Sequence, residues 1–372
     1  MKIVIDRNIR GAAETFGRHG ELHVMDGRAI RRADLVDADL LIVRTATRVD
    51  RELLHGTPVR FVGTTSIGTD HLDIPFLDDA GIAWANAPGC NADSAAEYTL
   101  AMIWLACQRL GRSLAGLRAG IVGRGNVGSR TLRLLRVLGL DVVANDPPLA
   151  DEGVAGLVTL DEALDCDIVC LHVPLTRDGP YPTWRMIDAD TIARMRPGAL
   201  LVNAGRGDVV DGAALLNAVQ NTRVHAALDV WPNEPMLDPD LLRRTVVATP
   251  HVAGYSYDGK RNGTTMVYAA FCAWAGVAPA ASDAGGDDRQ ALTLEPGADA
   301  LTQALQAACF VPQHDAALRG LADRPVAEIA QGFDRLRKDY PFRRDFRGWR
   351  ISGARPADTD RLAALGFVVE DT

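Results

Sequence analysis

The stretch GIVGRGNVGSR, residues 120–130, decides the fold of this chain of 372 residues. It spaces Gly123, Gly125 and Gly128 as G-x-G-x-x-G, after a short apolar run and before the helical pattern SRTLRLLRVLG. A second apolar run, DVVAND, then ends at Asp146. A strand, a glycine-rich turn, a helix and a second strand that ends in an acidic residue form the context in which this spacing binds dinucleotides.

The residues of this loop also predict the cofactor. The glycines would let the backbone approach a pyrophosphate at the N-terminus of the helix, and Asp146 would bind the adenosine ribose hydroxyls. Its carboxylate would repel a 2′-phosphate, and Pro147 and Pro148 follow it instead of an arginine. We therefore expect NAD rather than NADP. The alternative is a tight strand–helix turn that holds no ligand.

Composition excludes several classes of protein. Hydrophobic residues make up 47% and charged residues 24% of the chain, as in ordinary globular proteins, and the net charge of −8 argues against nucleic-acid binding. None of the six cysteines forms a C-x-x-C pair, so we expect reduced thiols, no metal site and a cytoplasmic location. The start MKIVIDRNIR lacks the apolar core of a signal peptide. The apolar run 268–281 is too short to span a bilayer and predicts a buried helix, so we expect no membrane partner.

The order of strand-like and helix-like runs predicts the domains. Two series of short β-branched runs are separated by a helical stretch, residues 94–111, which Ser94 and Glu97 could cap. Strand–helix alternation of this kind predicts an α/β fold with two Rossmann-like, doubly wound parallel sheets. The glycine-rich stretch PAASDAGGDD, residues 279–288, reads as a linker to a small C-terminal α+β unit with a helix over 300–310, ALTQALQAACF, and a final strand, LGFVVED. The predicted domains are 1–97 with 254–286 for substrate binding, 98–253 for NAD binding, and 287–372 for this C-terminal unit.

Polar residues follow the strands of the second series where each strand ends. They are His172, Arg206, Asp229 with Glu234, and His251. Each has an ordinary structural alternative: a packed ring, a surface ion pair, a turn cap or a solvated acid. Ligands of open α/β sheets lie at the carboxyl ends of the strands, so we expect these side chains to gather at one site.

An arginine, a glutamate and a histidine beside a nicotinamide suit the oxidation of a 2-hydroxy acid. Histidine can take the hydroxyl proton near neutral pH, and a carboxylate bonded to its ring fixes the tautomer. An arginine can hold the substrate carboxylate and polarise the adjacent carbonyl in the reverse direction. The residues alone therefore predict an NAD-dependent oxidation of a 2-hydroxy acid that needs no metal.

Five motifs in order resemble the D-2-hydroxyacid dehydrogenases over residues 40–275: GRGNVG, HVPL, NAGRGDVVD, LDVWPNEP and TPHVAG. The resemblance implies that Arg206, Glu234 and His251 are catalytic. It also implies cofactor contacts from the glycine loop and from the ends of the later strands. These are Gly123, Gly125, Asn126, Val127, Gly128, Asp146, His172, Val173, Ala204, Gly205, Asp229 and Gly254.

Further stretches are similar to one branch of that family. They are FVGTTSIGTDHLD (61–73), APGCNA (87–92), DGPYPT (178–183), HVAGYSYDGKRNGTT (251–265) and FDRLRKDY (333–340). The branch implies a phosphorylated 2-hydroxy acid as substrate, a cytoplasmic homodimer with 287–372 as its α+β dimerisation domain, and substrate contacts from Thr45, Ser66 and Tyr255. The branch commonly has serine at the first position and threonine at the second, and both exchanges keep a hydroxyl.

Several alternatives stay open at this point. The chain could be another D-2-hydroxyacid dehydrogenase, such as a 3-phosphoglycerate enzyme, or a non-catalytic NAD-sensing scaffold. The basic segment 335–350 could be a solvated or interface helix or a nucleic-acid patch. In a further reading, one of its arginines, from the same or the partner subunit, closes over the substrate phosphate, and Arg343 and Arg344 are the first two to test. Cys90 could be sensitive to oxidation or a small packed residue.

Overall fold

A computed structural model describes residues 1–279 and 288–370. The chain divides into two compact units: unit 1 is Met1–Asn91 with Ser256–Asp288, and unit 2 is Ala92–Tyr255 with Arg289–Thr372. Almost all of the predicted linker 279–288, and the predicted boundary after residue 286, lie outside the described residues. The division into three domains, with its dimerisation role for 287–372, stays a prediction.

Unit 1 is built on a five-stranded parallel sheet of order β2-β1-β3-β4-β5. Strands β1, β3 and β4 are apolar and buried along almost their whole length, as expected for strands covered on both faces. The edge strand β2 is largely exposed. The strands β1 to β5 are Lys2–Asp6, Glu21–Met25, Leu40–Val43, Phe61–Thr64 and Ala83–Ala85, and helices α1 to α3 are Ala12–Thr15, Arg51–Leu54 and Ile74–Asp79.

Helix α11, Tyr257–Ala275, covers this sheet and contains most of the helix predicted over 268–281. Two glycines allow it to approach β4 closely. A Cβ on Gly63 would lie 2.4 Å from a methyl carbon of Val267, and one on Gly263 would lie 2.6 Å from the carbonyl oxygen of Thr65. The close contact holds the loop after β4, which carries Ser66.

The main sheet of unit 2 has six parallel strands of order β11-β10-β9-β8-β6-β7. Strands β6 to β11 are Arg118–Val122, Asp141–Asn145, Ile168–Leu171, Ala199–Asn203, Val224–Leu228 and Val247–Ala248. The strand order reverses between β6 and β8. The carboxyl ends of these two strands therefore form the topological switch point at which such sheets bind ligands. Helices α4 to α10 are Ala92–Arg109, Asn126–Val137, Pro147–Asp151, Leu160–Leu164, Ala189–Arg194, Gly212–Gln220 and Pro239–Arg244. The predicted fold class, with two Rossmann-like parallel sheets, is confirmed.

The C-terminal part of unit 2 adds a small three-stranded parallel sheet of order β12-β13-β14. Its strands are Gln290–Thr293, Trp349–Ser352 and Val368–Val369, and helices α12 to α15 are Ala300–Cys309, Val311–Arg319, Val326–Lys338 and Pro356–Leu365. The predicted helix over 300–310 and the final strand are both present. Of the helices in the described parts of the chain, none is long and apolar enough to cross a membrane.

The predicted capping of α4 by Ser94 and Glu97 is wrong. The helix begins at Ala92, so both residues lie inside it and are buried. The hydroxyl of Ser94 donates to Oδ1 of Asp345 at 2.7 Å, and Oε2 of Glu97 accepts from the backbone N–H of Phe346 at 2.9 Å. These two polar side chains therefore bind the C-terminal segment instead of the start of their own helix.

Candidate active site

Three neighbouring strands of the six-stranded sheet deliver the predicted catalytic residues to one edge. Arg206 follows β9, Glu234 lies in the loop after β10, and His251 follows β11. The strands are adjacent in the order β11-β10-β9 and all run parallel, so their carboxyl ends share one edge. The topology thereby places the three loops side by side.

Glu234 and His251 form a direct hydrogen-bonded pair. Nδ1 of His251 lies 2.5 Å from Oε1 of Glu234, and Oε2 accepts from the backbone N–H of Trp231 at 3.0 Å. Burial tends to raise the pKa of Glu234, but the hydrogen bond to His251, the charge of that ring, the Trp231 N–H and the charge of Arg337 together lower it below its ordinary value. An ionised Glu234 can only accept, so Nδ1 of His251 donates and Nε2 is left for a substrate proton.

The backbone around His251 is held in an unusual conformation. His251 has φ of 55°, in the left-handed region that a residue with a Cβ adopts at a cost. Its N–H donates to the carbonyl of Asp229 at 2.7 Å. The buried carboxylate of Asp229 accepts from the Thr249 hydroxyl at 2.6 Å and from the N–H groups of Val252 and Ala253, each at 2.9 Å. Asp229 thus orders the loop that presents the histidine. Its predicted contact with the nicotinamide stays a prediction.

Trp231 is a part of this site that sequence reasoning missed. Its side chain is buried, and its indole N–H donates to the carbonyl of Thr249 at 2.9 Å. A Cβ on Gly207 would lie 1.9 Å from the Trp231 carbonyl oxygen, so the loop after Arg206 packs directly on this residue. The signal was present in the sequence as DVWPNEP, where a large aromatic separates the two acids.

Arg206 is exposed, and its loop is braced by Asn203. The side chain of Asn203 is fully buried; its Nδ2 donates to the Arg206 carbonyl at 2.9 Å, and its Oδ1 accepts from the N–H of Gly205 at 3.1 Å. One guanidinium nitrogen of Arg206 donates to the Gly205 carbonyl at 2.8 Å. The remaining donors of its fork are available for an anion. Ala204 lies in the same loop, partly exposed.

The glycine loop fits a dinucleotide. Gly123 has φ of 91°, and a Cβ there would lie 2.8 Å from the His172 backbone, while a Cβ on Gly128 would lie 1.9 Å from the Gly123 carbonyl oxygen. A Cβ on Gly125 would meet nothing within 4 Å. The outer two glycines therefore serve close backbone packing, and the middle one leaves open space beside the first turn of α5. Asn126 and Val127 begin that helix, where backbone N–H groups have no intrahelical acceptor.

Asp146 follows β7 as predicted and caps α6. One of its oxygens accepts from the N–H of Leu149 at 3.2 Å and the other from the N–H of Arg124 at 2.7 Å. The second bond ties the acid to the glycine loop. Each carboxylate oxygen keeps a further lone pair for a ribose hydroxyl. The structure also places His172 and Val173 after β8. Burial lowers the pKa of the His172 ring to about 4, and neither ring nitrogen has a hydrogen-bond partner among the described residues.

The predicted substrate residues Thr45 and Ser66 lie in unit 1, after β3 and β4. Thr45 is exposed, and Arg44 before it donates from Nε to the buried Asp6 at 3.1 Å. The loop of Ser66 is tied by a hydrogen bond from the N–H of Ala87 to the Ser66 carbonyl at 3.0 Å. Both hydroxyl residues therefore sit at the carboxyl edge of the unit 1 sheet.

Tyr255 lies in unit 2, and the C-terminal segment packs on it. The rings of Tyr255 and Tyr340 meet edge to face with centroids 5.7 Å apart. Gly254, the predicted cofactor contact before it, is partly exposed.

Arg343 does not fit the phosphate role considered from the sequence. It is 1% exposed, stacks over the ring of Tyr98 and donates to the carbonyls of Ser94 and Ala253 at 3.0 and 2.8 Å. Arg344 is also buried, at 6% exposure. The two buried arginines therefore anchor the basic segment 335–350 to unit 2 instead of reaching a ligand.

The cysteines of the described residues are free and buried. Burial raises the pKa of the Cys90 thiol to about 11, which favours the packed reading of that residue over the reactive one. No group of three or more histidines, cysteines or acids among residues 1–279 and 288–370 could hold a metal ion.

Comparison with known proteins is consistent with this geometry. Residues 91–253 match the model of the D-isomer specific 2-hydroxyacid dehydrogenase, NAD binding domain. The erythronate-4-phosphate dehydrogenase of Stutzerimonas stutzeri is 44% identical over 376 residues, which cover 98% of this chain and 99% of that protein. The erythronate-4-phosphate dehydrogenase of Pseudomonas aeruginosa is 43% identical, with the same shares of each chain.

Solved structures resemble the same architecture. The D-lactate dehydrogenase of Aquifex aeolicus, complexed with NAD and lactic acid, is 26% identical with a TM-score of 0.59 and covers 74% of this chain and 96% of its own. The NAD⁺-bound 3-phosphoglycerate dehydrogenase of Entamoeba histolytica, at 23% identity and a TM-score of 0.63, covers 74% and 95% and shares the fold. The sequence match along nearly the whole chain and the NAD-binding domain lead to one conclusion: the chain belongs to the D-isomer-specific 2-hydroxyacid dehydrogenase family, among the erythronate-4-phosphate dehydrogenases.

Proposed function

We propose that this enzyme oxidises 4-phospho-D-erythronate with NAD to 3-hydroxy-2-oxo-4-phosphobutanoate. The observation that carries the chemistry is the Glu234–His251 hydrogen bond at the carboxyl edge of the nucleotide-binding sheet. The identity of 44% to an erythronate-4-phosphate dehydrogenase over nearly its full length supports the choice of substrate.

The residues of the chain divide the reaction between them. Bound NAD supplies the hydride acceptor. The C2–H bond of the substrate breaks with its electron pair, while the hydroxyl proton passes to Nε2 of His251 and the C2–O bond becomes a carbonyl. Glu234 fixes the ring so that Nε2 is the accepting nitrogen, and its negative charge stabilises the imidazolium that forms.

Arg206 supplies the positive charge for the substrate carboxylate. A guanidinium binds a carboxylate through two parallel hydrogen bonds, and in the reverse direction it polarises the neighbouring carbonyl. Arg206→Ala should therefore impair both binding and turnover. We assign Thr45, Ser66 and Tyr255 to substrate binding by resemblance.

The nucleotide site favours NAD through Asp146. The residues that would hold the cofactor are the glycine loop, the first turn of α5 and this acid. The carboxylate would repel the 2′-phosphate of NADP. The cytoplasmic location, the homodimer and a role in the synthesis of pyridoxal 5′-phosphate follow from the resemblance and are part of the proposal.

The decisive experiment compares substrates with purified enzyme and NAD. Formation of NADH is measured with 4-phospho-D-erythronate, 3-phosphoglycerate, D-glycerate and D-lactate, with a 2-oxo acid added in parallel in case NADH stays bound. The highest kcat/KM with the phosphorylated four-carbon acid is the expected result. Faster turnover of another acid would keep the roles of Arg206, Glu234 and His251 and reject the substrate. Binding of NADH without turnover of any of the four would indicate a scaffold.

A further inference from the structure

The motif FDRLRKDY, residues 333–340, brings an arginine to the catalytic loops of its own unit. Arg337 lies in the last turn of α14, and its guanidinium carbon is 5.9 Å from the centroid of the Tyr255 ring. It is also 5.8 Å from the centroid of the Phe333 ring, one turn earlier in the same helix. These two aromatic contacts position the arginine beside the residue that the resemblance assigns to the substrate.

Arg337 has hydrogen-bond donors to spare. Among the residues that the structure describes, it makes no hydrogen bond and no ion pair, and its Nε is buried without an acceptor. A guanidinium carries five donors, and a buried donor without an acceptor, such as this Nε, costs free energy. Two other arginines of the segment have partners within the chain: Arg343 donates through Nη2 to two carbonyls, although its Nε and Nη1 are also buried without an acceptor, and Arg350 pairs with Glu370. An acceptor for Arg337 is therefore expected from outside the chain.

The charge of Arg337 also reaches the catalytic pair without being bound to it. Burial raises the pKa of Glu234, and the charge of Arg337 is one of the influences that lower it, after the contacts with His251 and Trp231. Each oxygen of Glu234 accepts one hydrogen bond, one from His251 and the other from the Trp231 N–H, and neither accepts from Arg337 among the described residues. The guanidinium thus lies near the site of proton transfer with its own hydrogen bonds unused.

We propose that Arg337 binds the phosphate of the substrate, as the second anion-binding arginine of the site beside Arg206. The proposal rests on the proposed function, in which the substrate carries a carboxylate at one end and a phosphate at the other. Arg206 takes the carboxylate, and the planar fork of Arg337 donates two hydrogen bonds to phosphate oxygens. The phosphate-binding role within the basic segment 335–350 then belongs to the arginine packed on Tyr255 instead of to the buried Arg343 and Arg344.

Unit 1 offers a competing place for the phosphate. Three cations of unit 1 act there: burial lowers the pKa of Lys260, and the charges of Arg10 and Arg44 lower it further. Arg44, however, already donates to the buried Asp6, which compensates part of this charge. A test of Arg337 therefore needs an Arg44 variant beside it.

The experiment measures kcat and KM of Arg337→Gln and Arg337→Lys with 4-phospho-D-erythronate and with D-erythronate, which lacks the phosphate. Loss of charge-assisted hydrogen bonds should raise KM for the phosphorylated acid about 10- to 150-fold, and should change kcat/KM for D-erythronate less than about threefold. Lysine keeps the positive charge but lacks the planar fork of donors, so the KM of Arg337→Lys for the phosphorylated acid should lie between the values of the wild-type enzyme and Arg337→Gln. Removing the charge also affects Glu234, but that effect is common to both substrates and cancels in their ratio.

Two controls and one second readout complete the design. Arg335→Gln removes an exposed charge from the same helix and should leave both substrates unaffected. Arg44→Gln tests the competing place. Inorganic phosphate should inhibit the wild-type enzyme in competition with the phosphorylated acid, and its inhibition constant should rise in Arg337→Gln by a factor similar to the rise in KM.

Three outcomes would overturn the assignment. An equal loss with both substrates in Arg337→Gln and Arg337→Lys would mean that the side chain only supports Tyr255. If Arg335→Gln changed the KM values for the two substrates as much as Arg337→Gln does, the phosphate would respond to the overall positive charge of α14 and not to Arg337 itself. Loss of phosphate discrimination in Arg44→Gln alone would place the phosphate in unit 1. Failure of the proposed function is distinguishable, because the wild-type enzyme itself would then show no preference for the phosphorylated acid.

Discussion

Nδ1 of His251 lies 2.5 Å from Oε1 of Glu234, and the second oxygen of that carboxylate accepts from the Trp231 N–H. The two bonds hold the carboxylate in one orientation and leave a single ring nitrogen of the histidine for the substrate. The pair joins loops from two adjacent strands, β10 and β11. The order of the strands therefore brings the two members of this pair together.

We expect His251→Ala to lower kcat about 10²- to 10⁴-fold, the range for loss of a general acid–base. The fold should persist because the ring is partly exposed and its backbone contacts to Asp229 remain. Steady-state rates of NADH formation test this, with His55→Ala on the surface of unit 1 as the control. A loss of less than fivefold would refute the proton-transfer role.

Glu234→Gln should lower kcat/KM about 10²-fold while keeping an acceptor for the Trp231 N–H. The pKa of Glu234 is lowered, so in the wild-type enzyme the ionised pair is fully present above the ordinary value of 4.5 and is lost only as pH falls through the lowered pKa. Profiles of the wild-type rate between pH 5 and 9 should therefore show no decrease at the acidic end that arises from protonation of Glu234. The exposed Glu152→Gln is the control, and a profile with full activity in Glu234→Gln would contradict the pairing.

Alanine at two glycines of the glycine motif should have different effects, one on stability and the other on NAD binding. A Cβ on Gly128 would lie 1.9 Å from a backbone oxygen, so Gly128→Ala should lower the free energy of unfolding by about 3 kcal/mol. A Cβ on Gly125 meets only open space, so Gly125→Ala should fold normally and weaken NAD binding roughly tenfold or more. Thermal unfolding and NADH titration separate the two results. Normal NAD affinity in Gly125→Ala would show that the pyrophosphate lies elsewhere.

Asp146→Asn should reduce the preference for NAD over NADP, because the charge that repels the 2′-phosphate is lost. Asparagine can still cap α6 by accepting from the Leu149 N–H, but its amide nitrogen cannot accept from the Arg124 N–H, so the free energy of unfolding should fall by about 1 kcal/mol. The ratio of kcat/KM for the two cofactors is the measurement. Asp238→Asn, the equivalent cap of α10, is the matched control and should leave that ratio unchanged.

Stability should fall as the solution is acidified below the ordinary histidine pKa. Burial and the charge of Arg343 lower the pKa of His314 from 6.5 to about 4, so the unfolded chain takes up the proton first as pH falls through this window. His314 alone should contribute a loss of about 2 kcal/mol between pH 7.5 and 5. Urea unfolding at both pH values should show a smaller difference for His314→Gln, with the exposed His23→Gln as control. If the wild-type protein, His314→Gln and His23→Gln all lost the same free energy of unfolding between the two pH values, His314 would not be the group responsible.

Local patterns were enough for much of the fold because they concern neighbours in the chain. The β-branched runs and the glycine loop predicted the strands β6 to β11, and Ser-x-x-Glu was the pattern that misled. Ser94 and Glu97 have the spacing of a helix cap, but both bind residues 345–346 of the C-terminal segment. A spacing rule cannot distinguish a helix cap from a buried donor and a buried acceptor whose partners are distant in the sequence.

The sequence by itself determined the fold class and the NAD fingerprint, and it singled out Arg206, Glu234 and His251 as candidate catalytic residues, since each depends on residue type and spacing within one strand–loop–helix unit. Only the tertiary structure decided how these side chains are held. Asp229 and Trp231 tie the catalytic loops together, Arg343 is enclosed in the core, and Arg337 stands beside Tyr255 with its donors unused. Such contacts join residues far apart in the chain, and burial and hydrogen-bond geometry arise only when the elements pack.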